Sequence, residues 1–310
     1  MNTRFLETFV TLAQLQSFRA TARSLHATPA TISLRIRTLE DELKCELVDR
    51  RSRTFLLTPA GQYLVGFARD VIDATRALQE AAGAEPAVGG TLRLGVNETV
   101  VHSWLAHYLS HLNARFPTLE VDLSVDTSAA LQKRLLAGEL DVALRVEGIE
   151  SARVVSRAIA RYPVRWIARR DLLAQHSDGL AQQILKRPVL TFGRGTTPQI
   201  ALEHIVHGLA IEHGMRIDQM RIICSPSVAA IVQLVRDGYG VAAIPRLFVA
   251  DALSSGEFAE IPMRPAPPPI VISLCARADA GVTVNAALNA AHEACAEYCL
   301  SQPGELIEAL

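Results

Sequence analysis

The segment from Ser17 to Gly61 constrains the fold of this chain more than any other stretch, because it holds the start signals of two closely spaced helices. Ser17 is a residue type that caps helix N-termini well. The apolar Ala20, Ala22 and Leu25 follow it and can pack inward. The segment therefore predicts a short first helix that packs against a small core.

A second helix is predicted from Thr28, which combines a capping side chain with Pro29 at the first helical position. Its apolar residues recur at spacings of 4, 3 and 4, at Ile32, Ile36, Leu39 and Leu43. Such a stripe must face the core, so the opposite side of the helix is open to a partner. A projection at about 100° per residue places four residues on the open side: Ala30, Ser33, Leu34 and Arg37.

The open side of the second helix has the chemistry of a helix that reads the major groove of duplex DNA. Arg37 can reach a guanine edge or a phosphate, and Ser33 can donate or accept a hydrogen bond. The small or apolar Ala30 and Leu34 suit thymine methyl groups. These residues are therefore predicted to contact DNA bases.

A short polar run after the second helix carries Arg50, Arg51 and Arg53 and leads into apolar residues 55–57. This order predicts a hairpin wing whose arginines contact backbone phosphates. Three arginines alone are more often a solvated loop, and the preceding helix pair is what favours the wing. Residues 1–60 carry nine basic and six acidic side chains, a net charge of +3, whereas the rest of the chain carries −4.

The same residues resemble the DNA-binding domain of LysR-type transcriptional regulators, and the resemblance covers nearly the whole chain. It rests on FLETFVTLAQLQSFRATARSLHATPATISLRIRTLEDELKCELVDRRSRTFLLTPAGQYL and on TLRLGV, LLAGELDVALRV and LVRDGYGVAAIP, which look like landmarks of the family's effector domain. The resemblance implies groove contacts by Pro29, Ala30, Ser33 and Leu34. Family members usually open this helix with Ser-Gln, whereas this chain has Thr28-Pro29-Ala30, so a base-reading glutamine is absent and the operator sequence does not transfer.

A third helix start, Thr58-Pro59, precedes apolar residues spaced by 3 and 4. They are Leu64, Phe67, Val71, Ala74, Leu78 and Ala81. This heptad seam predicts a linker helix of about 24 residues, roughly 36 Å long, that pairs with a second copy. The alternative is a helix that packs only on its own domain. The small residues, proline and glycines of residues 81–90 predict a hinge.

Residues 91–300 alternate strand-like and helix-like segments, which predicts an α/β architecture with mostly parallel strands. By resemblance, this region is a two-lobed effector domain of the periplasmic-binding-protein type. The predicted organisation is a winged helix-turn-helix at 1–58, a linker helix and hinge at 59–90, lobe I at 91–161 plus 268–300, lobe II at 162–267, and a tail at 301–310.

Ligands in open α/β sheets meet the carboxyl ends of strands and the N-termini of the helices that follow. That rule selects Asn97, Thr99, Thr127, Ser128, Arg145, Arg194 and Ser227 as effector contacts. The resemblance also implies Thr99, Thr127 and Ser128 as cleft positions. Helix N-termini, hydroxyls and an arginine suit a small organic acid. The hydroxyls are equally well explained as helix caps and the arginines as ion-pair partners, and Glu98 would repel an anion unless it points away.

Other site classes find less support in the sequence. Five cysteines, at positions 45, 224, 275, 295 and 299, form no CxxC pair, so neither a disulfide framework nor a zinc knuckle is predicted. Cys224 near the cleft is a conceivable redox sensor. His107 and His111 have the i,i+4 spacing of a metal pair, but solvated histidines are the favoured interpretation. No GxSxG or HExxH motif occurs, so no catalytic residue, cofactor or metal is predicted.

The sequence thus predicts a sequence-specific regulator that binds double-stranded DNA and responds to a small organic acid. The resemblance implies a homodimer that assembles into a homotetramer. No apolar run approaches 18 residues and the first residues do not read as a secretion signal, which predicts a cytoplasmic protein with no membrane partner. The alternative is a two-lobed small-molecule-binding protein without a role in gene regulation.

Overall fold

The computed structural model of this protein describes residues 2–50, 55–82, 88–172 and 180–310. Its N-terminal part contains α1 (Thr3–Leu15), α2 (Phe18–Ser24), α3 (Pro29–Leu43) and the long α4 (Pro59–Ala82). Both predicted N-caps are present: the Ser17 side chain accepts the N–H of Ala20, and the Thr28 side chain accepts the N–H of Thr31. The sequence signals therefore start α2 and α3 at the expected residues.

The core of the N-terminal domain forms where α3 packs on α1. Ile32, Ile36 and Leu39 are fully buried, as the spacing predicted, and they pack with Phe9 and Leu12 of α1. Burial of one large apolar side chain contributes about 1.5–3 kcal/mol. The stripe on α3 therefore fixes which side of this helix faces outward.

The base of the predicted wing is an antiparallel pair. Val48 lies opposite Leu57, and the N–H of Asp49 donates to the carbonyl of Leu56 at 2.9 Å. Residues 51–54, which include the predicted phosphate contacts Arg51 and Arg53, lie outside the described residues. The predicted hinge also lies largely outside them, at 83–87.

The remaining helices and strands form two α/β lobes. In chain order they are β1 (Gly90–Val96), α5 (Glu98–Val101), α6 (Leu105–Arg115), β2 (Leu119–Val125), α7 (Ser128–Leu136), β3 (Val142–Val146), β4 (Val154–Tyr162), β5 (Val164–Arg169), α8 (Leu180–Leu185), β6 (Val189–Thr191), α9 (Thr197–Glu212), β7 (Ile222–Cys224), α10 (Val228–Arg236), β8 (Val241–Pro245), α11 (Ala250–Ser254), β9 (Phe258–Glu260), β10 (Ile270–Arg277), α12 (Val282–Ser301) and β11 (Glu308–Ala309).

The strands divide into two mixed sheets. One has the order β11-β4-β10-β3-β1-β2, and the other has the order β7-β6-β8-β5-β9. We call the domain around the first sheet lobe I and the domain around the second lobe II. The chain passes from lobe I to lobe II between β4 and β5 and returns at β10, so each crossing lies at the edge of a strand rather than inside a helix.

The sheets contain more antiparallel pairs than the sequence predicted. β10 runs antiparallel to both β3 and β4, and β5 runs antiparallel to both β8 and β9. Residues 301–310, predicted as a separate tail, contribute β11, in which Glu308 pairs with Arg161 of β4. The C-terminal residues are thus an edge strand of lobe I.

A buried aromatic group ties the crossing between the lobes to lobe I. The hydroxyl of Tyr162, the last residue of β4, accepts the indole N–H of Trp104 at 2.9 Å and lies 2.9 Å from the Ser103 hydroxyl. Burial raises the pKa of Tyr162 well above its ordinary value.

Among the described residues, none of the helices combines the length and apolarity that crossing a bilayer requires.

Candidate nucleic-acid interface and inter-lobe cleft

The outer face of α3 is exposed, because the buried stripe occupies its other side. Thr28, Pro29, Ala30 and Arg37 are exposed, and Ser33 is half-buried beside them. Leu34 is 64% exposed, which is high for a large apolar side chain. The structure thus brings the six residues predicted from the helix onto one solvent-facing surface, and we call this surface the α3 face.

Arg50, at the base of the wing, is held by a buried carboxylate of α3. Glu40 of α3 is buried, and its Oε1 accepts the N–H groups of Leu47 at 2.9 Å and Val48 at 3.3 Å. Its Oε2 accepts from the guanidinium of Arg50, whose side chain remains half-exposed. The pair fixes Arg50 at the base of the wing and leaves its other N–H groups at the surface.

The start of α4 is fixed against the wing by Thr58 and Gly61. The Thr58 hydroxyl accepts the N–H of Gly61 at 2.9 Å, which caps the helix. A Cβ at Gly61 would lie 2.2 Å from the carbonyl oxygen of Leu47, so only glycine allows this approach. The direction of α4 relative to the α3 face is therefore set by backbone packing.

The long helix α4 has one face on its own domain and one in solvent. Val65 and Ala68 are buried in the core of the N-terminal domain. The other face exposes Tyr63, Phe67, Val71 and Leu78 by 70, 51, 38 and 71%, with the exposed Ala74 between them. We call these five residues the α4 stripe.

The α4 stripe differs from the predicted seam at its first position. Leu64, predicted as the first seam residue, packs against the core of the N-terminal domain, and Tyr63 is exposed in its place. Successive residues of a helix are turned by about 100° from each other, so neighbouring residues point to different sides. Leu64 points toward the core of its own domain, and Tyr63 points toward the solvent-exposed side. The side chain of Ala81, the last predicted seam position, lies outside the described residues.

An ion pair connects α4 to lobe I. Asp70 of α4 accepts from the Arg277 guanidinium at the end of β10, and Arg277 also donates to Asp279 at 2.8 Å. The hydrogen bond to Asp279, and then that to Asp70, raise the pKa of Arg277 above its ordinary value. Close by, a Cβ at Gly66 would lie 3.3 Å from the carbonyl oxygen of Ala137. The helix that bears the α4 stripe therefore touches the effector-domain side of the molecule.

The predicted cleft residues of lobe I lie where β1, β2 and β3 end, but most already have partners. The Asn97 side chain caps α5 by accepting the N–H of Val100 at 3.3 Å, and Thr99 beside it is buried. The Thr127 hydroxyl caps α7 in the same way. The Ser128 hydroxyl accepts the N–H of Val146 at 3.1 Å. These contacts correspond to the capping alternative that the sequence left open.

Arg145 is buried and holds a loop of lobe I. Its Nε donates to the carbonyl of Ser128 at 3.2 Å, and its Nη1 donates to the carbonyls of Glu147 at 3.0 Å and Gly148 at 2.6 Å. Burial lowers the pKa of Arg145 below its ordinary value. Glu147 has a φ of 62°, an uncommon value for a residue other than glycine, and the bonds from Arg145 stabilise that turn. Within the described part of the chain, the Nη2 group of Arg145 makes no hydrogen bond.

Two carboxylates of lobe I reach across the cleft to lobe II. Glu98 accepts the N–H of Val228, the first residue of α10, and Glu147 accepts from the hydroxyl of Thr197, the first residue of α9, at 3.1 Å. Helix N-termini attract negative charge, so both contacts are electrostatically favourable. Glu98 therefore points into the cleft, and Glu147 was missed because nothing in its sequence neighbourhood signals the turn that aims it.

On lobe II, Ser227 caps α10 by accepting the N–H of Ala230 at 3.4 Å. Arg194 is exposed in the loop after β6. Cys224 is a half-buried free thiol at the end of β7. The structure thus places Ser227 in the cleft beside the Glu98 contact and Arg194 at the surface of the neighbouring loop.

Comparison with known proteins agrees with this division of the chain. Residues 3–62 match the model of the bacterial regulatory helix-turn-helix protein of the lysR family, and residues 87–299 match the LysR substrate binding domain. The transcriptional regulator GltR of Bacillus subtilis is 26% identical over 257 residues, which cover 83% of each protein.

Solved structures share the fold across nearly the full length. Full-length OxyR of Pseudomonas aeruginosa superposes with a TM-score of 0.71 at 21% identity, covering 95% of this chain and 94% of OxyR. LysG of Corynebacterium glutamicum with bound effector Arg superposes with a TM-score of 0.65 at 20% identity, covering 96% of this chain and 99% of LysG. With both family domains matched in the order that the structure shows, the chain belongs to the LysR family, and it is a DNA-binding transcriptional regulator with a C-terminal effector-binding domain.

Proposed function

We propose that this regulator reads DNA bases through the α3 face and contacts phosphates through the wing. The observation that carries the proposal is the α3 face itself, where Leu34 and Arg37 stand exposed on a helix whose opposite side is fully buried. Thr28, Pro29, Ala30 and Ser33 complete the base-reading surface. Arg50, fixed by Glu40, contacts a phosphate together with the wing residues Arg51 and Arg53.

The α4 stripe is the surface on which we propose that two protomers pair. Four large apolar side chains stand exposed along one face of a 24-residue helix. Contiguous exposed apolar surface of this kind is typical of protein interfaces. Because α4 is fixed to the α3 face through Thr58 and Gly61, pairing of two α4 helices sets the distance between two α3 faces. Pairing of two such dimers into a tetramer follows the family pattern.

For the effector we propose a small organic acid whose anionic group binds the N-terminus of α10. Glu98 occupies that position in the present structure, so the effector competes with a carboxylate of the protein. When the effector displaces Glu98, the carboxylates of Glu98 and Glu147 remain close to it and attract positive charge. They therefore favour an effector that also carries an amino group. LysG, a relative in fold, binds the effector Arg, which has both groups. Such a molecule changes the lobe arrangement only as far as it prefers one state over the other.

We infer that the chain acts on DNA and not as an enzyme. The described cleft residues are engaged as helix caps and loop contacts, which supports binding rather than catalysis. The alternative of a two-lobed binding protein without a regulatory role leaves the α3 face and the α4 stripe without a use.

The test combines a ligand screen with footprinting. Thermal unfolding of the full chain is measured with organic acids, with amino acids and with amines that lack a carboxylate. Acids are expected to raise the unfolding temperature, amino acids the most, and amines not at all. The best hit is then added to footprints of the DNA upstream of the gene. A protected region that does not change with the hit contradicts the coupling, and stabilisation by amines alone contradicts the anionic effector.

A further inference from the structure

Helices α6 and α12 pack against each other on lobe I. The small Ala287 and Ala291 of α12 and the larger Tyr108 and Leu112 of α6 are buried in one apolar core. The Tyr108 hydroxyl donates to the carbonyl of Ala287 at 2.9 Å. Small residues allow close approach of the two helices, and the buried hydrogen bond fixes their register. Side chains at the rim of this contact therefore stand on a rigid support.

Three side chains that bind metals meet at that rim. His107 and His111 are one turn apart on α6, and their Nε2 atoms lie 3.3 Å and 3.0 Å from Oε2 of Glu297 on α12. The donor atoms of the three residues all lie within 4.8 Å of one another. The sequence showed the histidine pair alone, because Glu297 is distant in the chain and only the packing of α12 brings it close.

The spacing of these atoms fits one ion. Zinc binds imidazole nitrogen and carboxylate oxygen at about 2.0–2.2 Å, usually as a tetrahedron. Two ligands of such a tetrahedron are separated by about 3.3 Å, as follows from those bond lengths. Both histidine–carboxylate distances are close to this value, and the two histidine nitrogens lie within 4.8 Å of each other, so side-chain rotations that bring the histidines together would complete the set of ligands. All three side chains are partly exposed, which leaves room for a water molecule as the fourth ligand.

The charges around the cluster also favour a cation. Arg115, the basic residue one to two turns away on α6, is paired with Glu293 of α12 at 2.7 Å. With neutral imidazoles the cluster carries the single negative charge of Glu297. Without a metal ion, protons on the histidine nitrogens can form hydrogen bonds to Glu297. A metal ion must displace these protons in order to bind.

We propose that His107, His111 and Glu297 form a binding site for a divalent transition-metal ion of the zinc class on the surface of lobe I. The site is separate from the α3 face and from the cleft, and the proposal does not depend on the effector. A bound ion links α6 to α12 and stabilises lobe I by preferential binding to the folded state.

The test is metal titration of the full chain with any affinity tag removed. Zn²⁺ is titrated calorimetrically and Co²⁺ by absorption, because Co²⁺ shows a thiolate charge-transfer band only when a cysteine binds it. The expected result is one equivalent of metal per chain without the thiolate band, and a rise in unfolding temperature on addition of Zn²⁺. His111→Ala and Glu297→Gln are each expected to weaken binding by more than about tenfold, since loss of an outer-shell partner alone costs 10–100-fold.

The matched control is His204→Ala, which removes an exposed histidine from α9. Its metal affinity should equal that of the unchanged protein. The proposal is wrong if Zn²⁺ does not bind in the micromolar range, if His111→Ala binds as well as the unchanged protein, or if the cobalt complex shows thiolate ligation. His111 on α6 and Glu297 on α12 are both partly exposed, so each variant should unfold at nearly the same temperature as the unchanged protein without metal, and that measurement verifies that it is folded.

Discussion

The α3 face and the inter-lobe cleft use polar side chains in opposite ways. On the α3 face, Arg37 stands in solvent and has no hydrogen bond or ion pair to another described residue. In the cleft, Asn97, Ser128, Arg145 and Glu98 each have a partner within the chain. Arg37 therefore needs no internal contact to be broken before it binds a ligand, whereas the four cleft side chains are satisfied by internal contacts.

Binding should therefore cost more free energy in the cleft than on the α3 face. A ligand of the α3 face displaces only water and counterions. A ligand of the cleft must replace hydrogen bonds that the protein makes with itself, and a replaced bond contributes little net stability. Changes on the α3 face should therefore alter affinity alone, and changes in the cleft should alter affinity and lobe arrangement together.

The largest expected effect comes from Val71→Asp on the α4 stripe. In a symmetric dimer this change buries two carboxylates in an apolar contact, at an effective cost of several kcal/mol per charge. The dimer dissociation constant should rise by more than about 100-fold. Operator affinity should fall as well, because an operator with two half-sites is bound by the two DNA-binding domains of a dimer. Sedimentation and gel shift at equal concentration measure both quantities.

The control for this experiment is Gln62→Asp, which adds the same charge to an exposed position about 180° away from Val71 around the helix. It should remain dimeric. A dimeric Val71→Asp protein would show that the α4 stripe is covered by something other than a second copy.

Arg37→Ala tests whether the exposed arginine of the α3 face contacts the operator. Loss of a base or phosphate contact costs about 1–3 kcal/mol, or roughly 5- to 150-fold in operator affinity. The free energy of unfolding should change by less than about 0.5 kcal/mol, because the side chain is exposed. Lys44→Asn, which also removes one positive charge from an exposed position, serves as the control and should bind the operator nearly as well. Unchanged affinity of the Arg37 variant at fixed salt would reject its contact role.

Sequence signals predicted the starts of α2, α3 and α4 well because each of these helices begins at a local side-chain cap. The stripe of α3 fixed the exposed face without knowledge of any distant residue. The exchange of Leu64 for Tyr63 in the α4 stripe escaped prediction, because the sequence does not state which apolar residues the wing and α1 will cover.

The cleft was predicted in outline and not in its contacts. Strand β4 carries a weak sequence signal, because its residues 155–158 are all exposed and the alternation that marks a half-buried strand is absent there. The role of Arg145 follows from the left-handed turn at Glu147 and from carbonyls that face the guanidinium. Such features depend on how distant segments meet, and no local pattern encodes them.

Glu98→Gln tests whether the cleft is in fact satisfied by the protein itself. The amide keeps an acceptor for the Val228 N–H but loses the charge, which is worth about 0.3–1 kcal/mol at a helix N-terminus. Affinity for an organic acid that lacks an amino group should therefore rise by about 2- to 5-fold. Glu150→Gln, which changes an exposed acid of the same lobe, should leave it unchanged. Effector affinity that falls in Glu98→Gln would mean that Glu98 binds the effector directly instead of competing with it.

The smallest effect is expected at the contact between the two regions. Arg277 binds Asp70 on the linker helix and Asp279 within lobe I, so the two aspartates make a matched pair. Asp70 is partly exposed, and such ion pairs are worth less than about 1 kcal/mol, so Asp70→Asn should change operator affinity by less than about fivefold.

Asp70→Asn and Asp279→Asn should differ in how strongly the effector changes the affinity of the protein for its operator. If lobe I acts on the α3 face through α4, Asp70→Asn should reduce the ratio of operator affinities with and without effector, because it removes a differential contact between the two states. Asp279→Asn should leave that ratio unchanged, since its carboxylate accepts from Arg277 within lobe I. Equal ratios in both variants would mean that the Asp70–Arg277 contact does not couple effector binding to DNA binding. The coupling would then have to come from a rearrangement of one protomer against its partner.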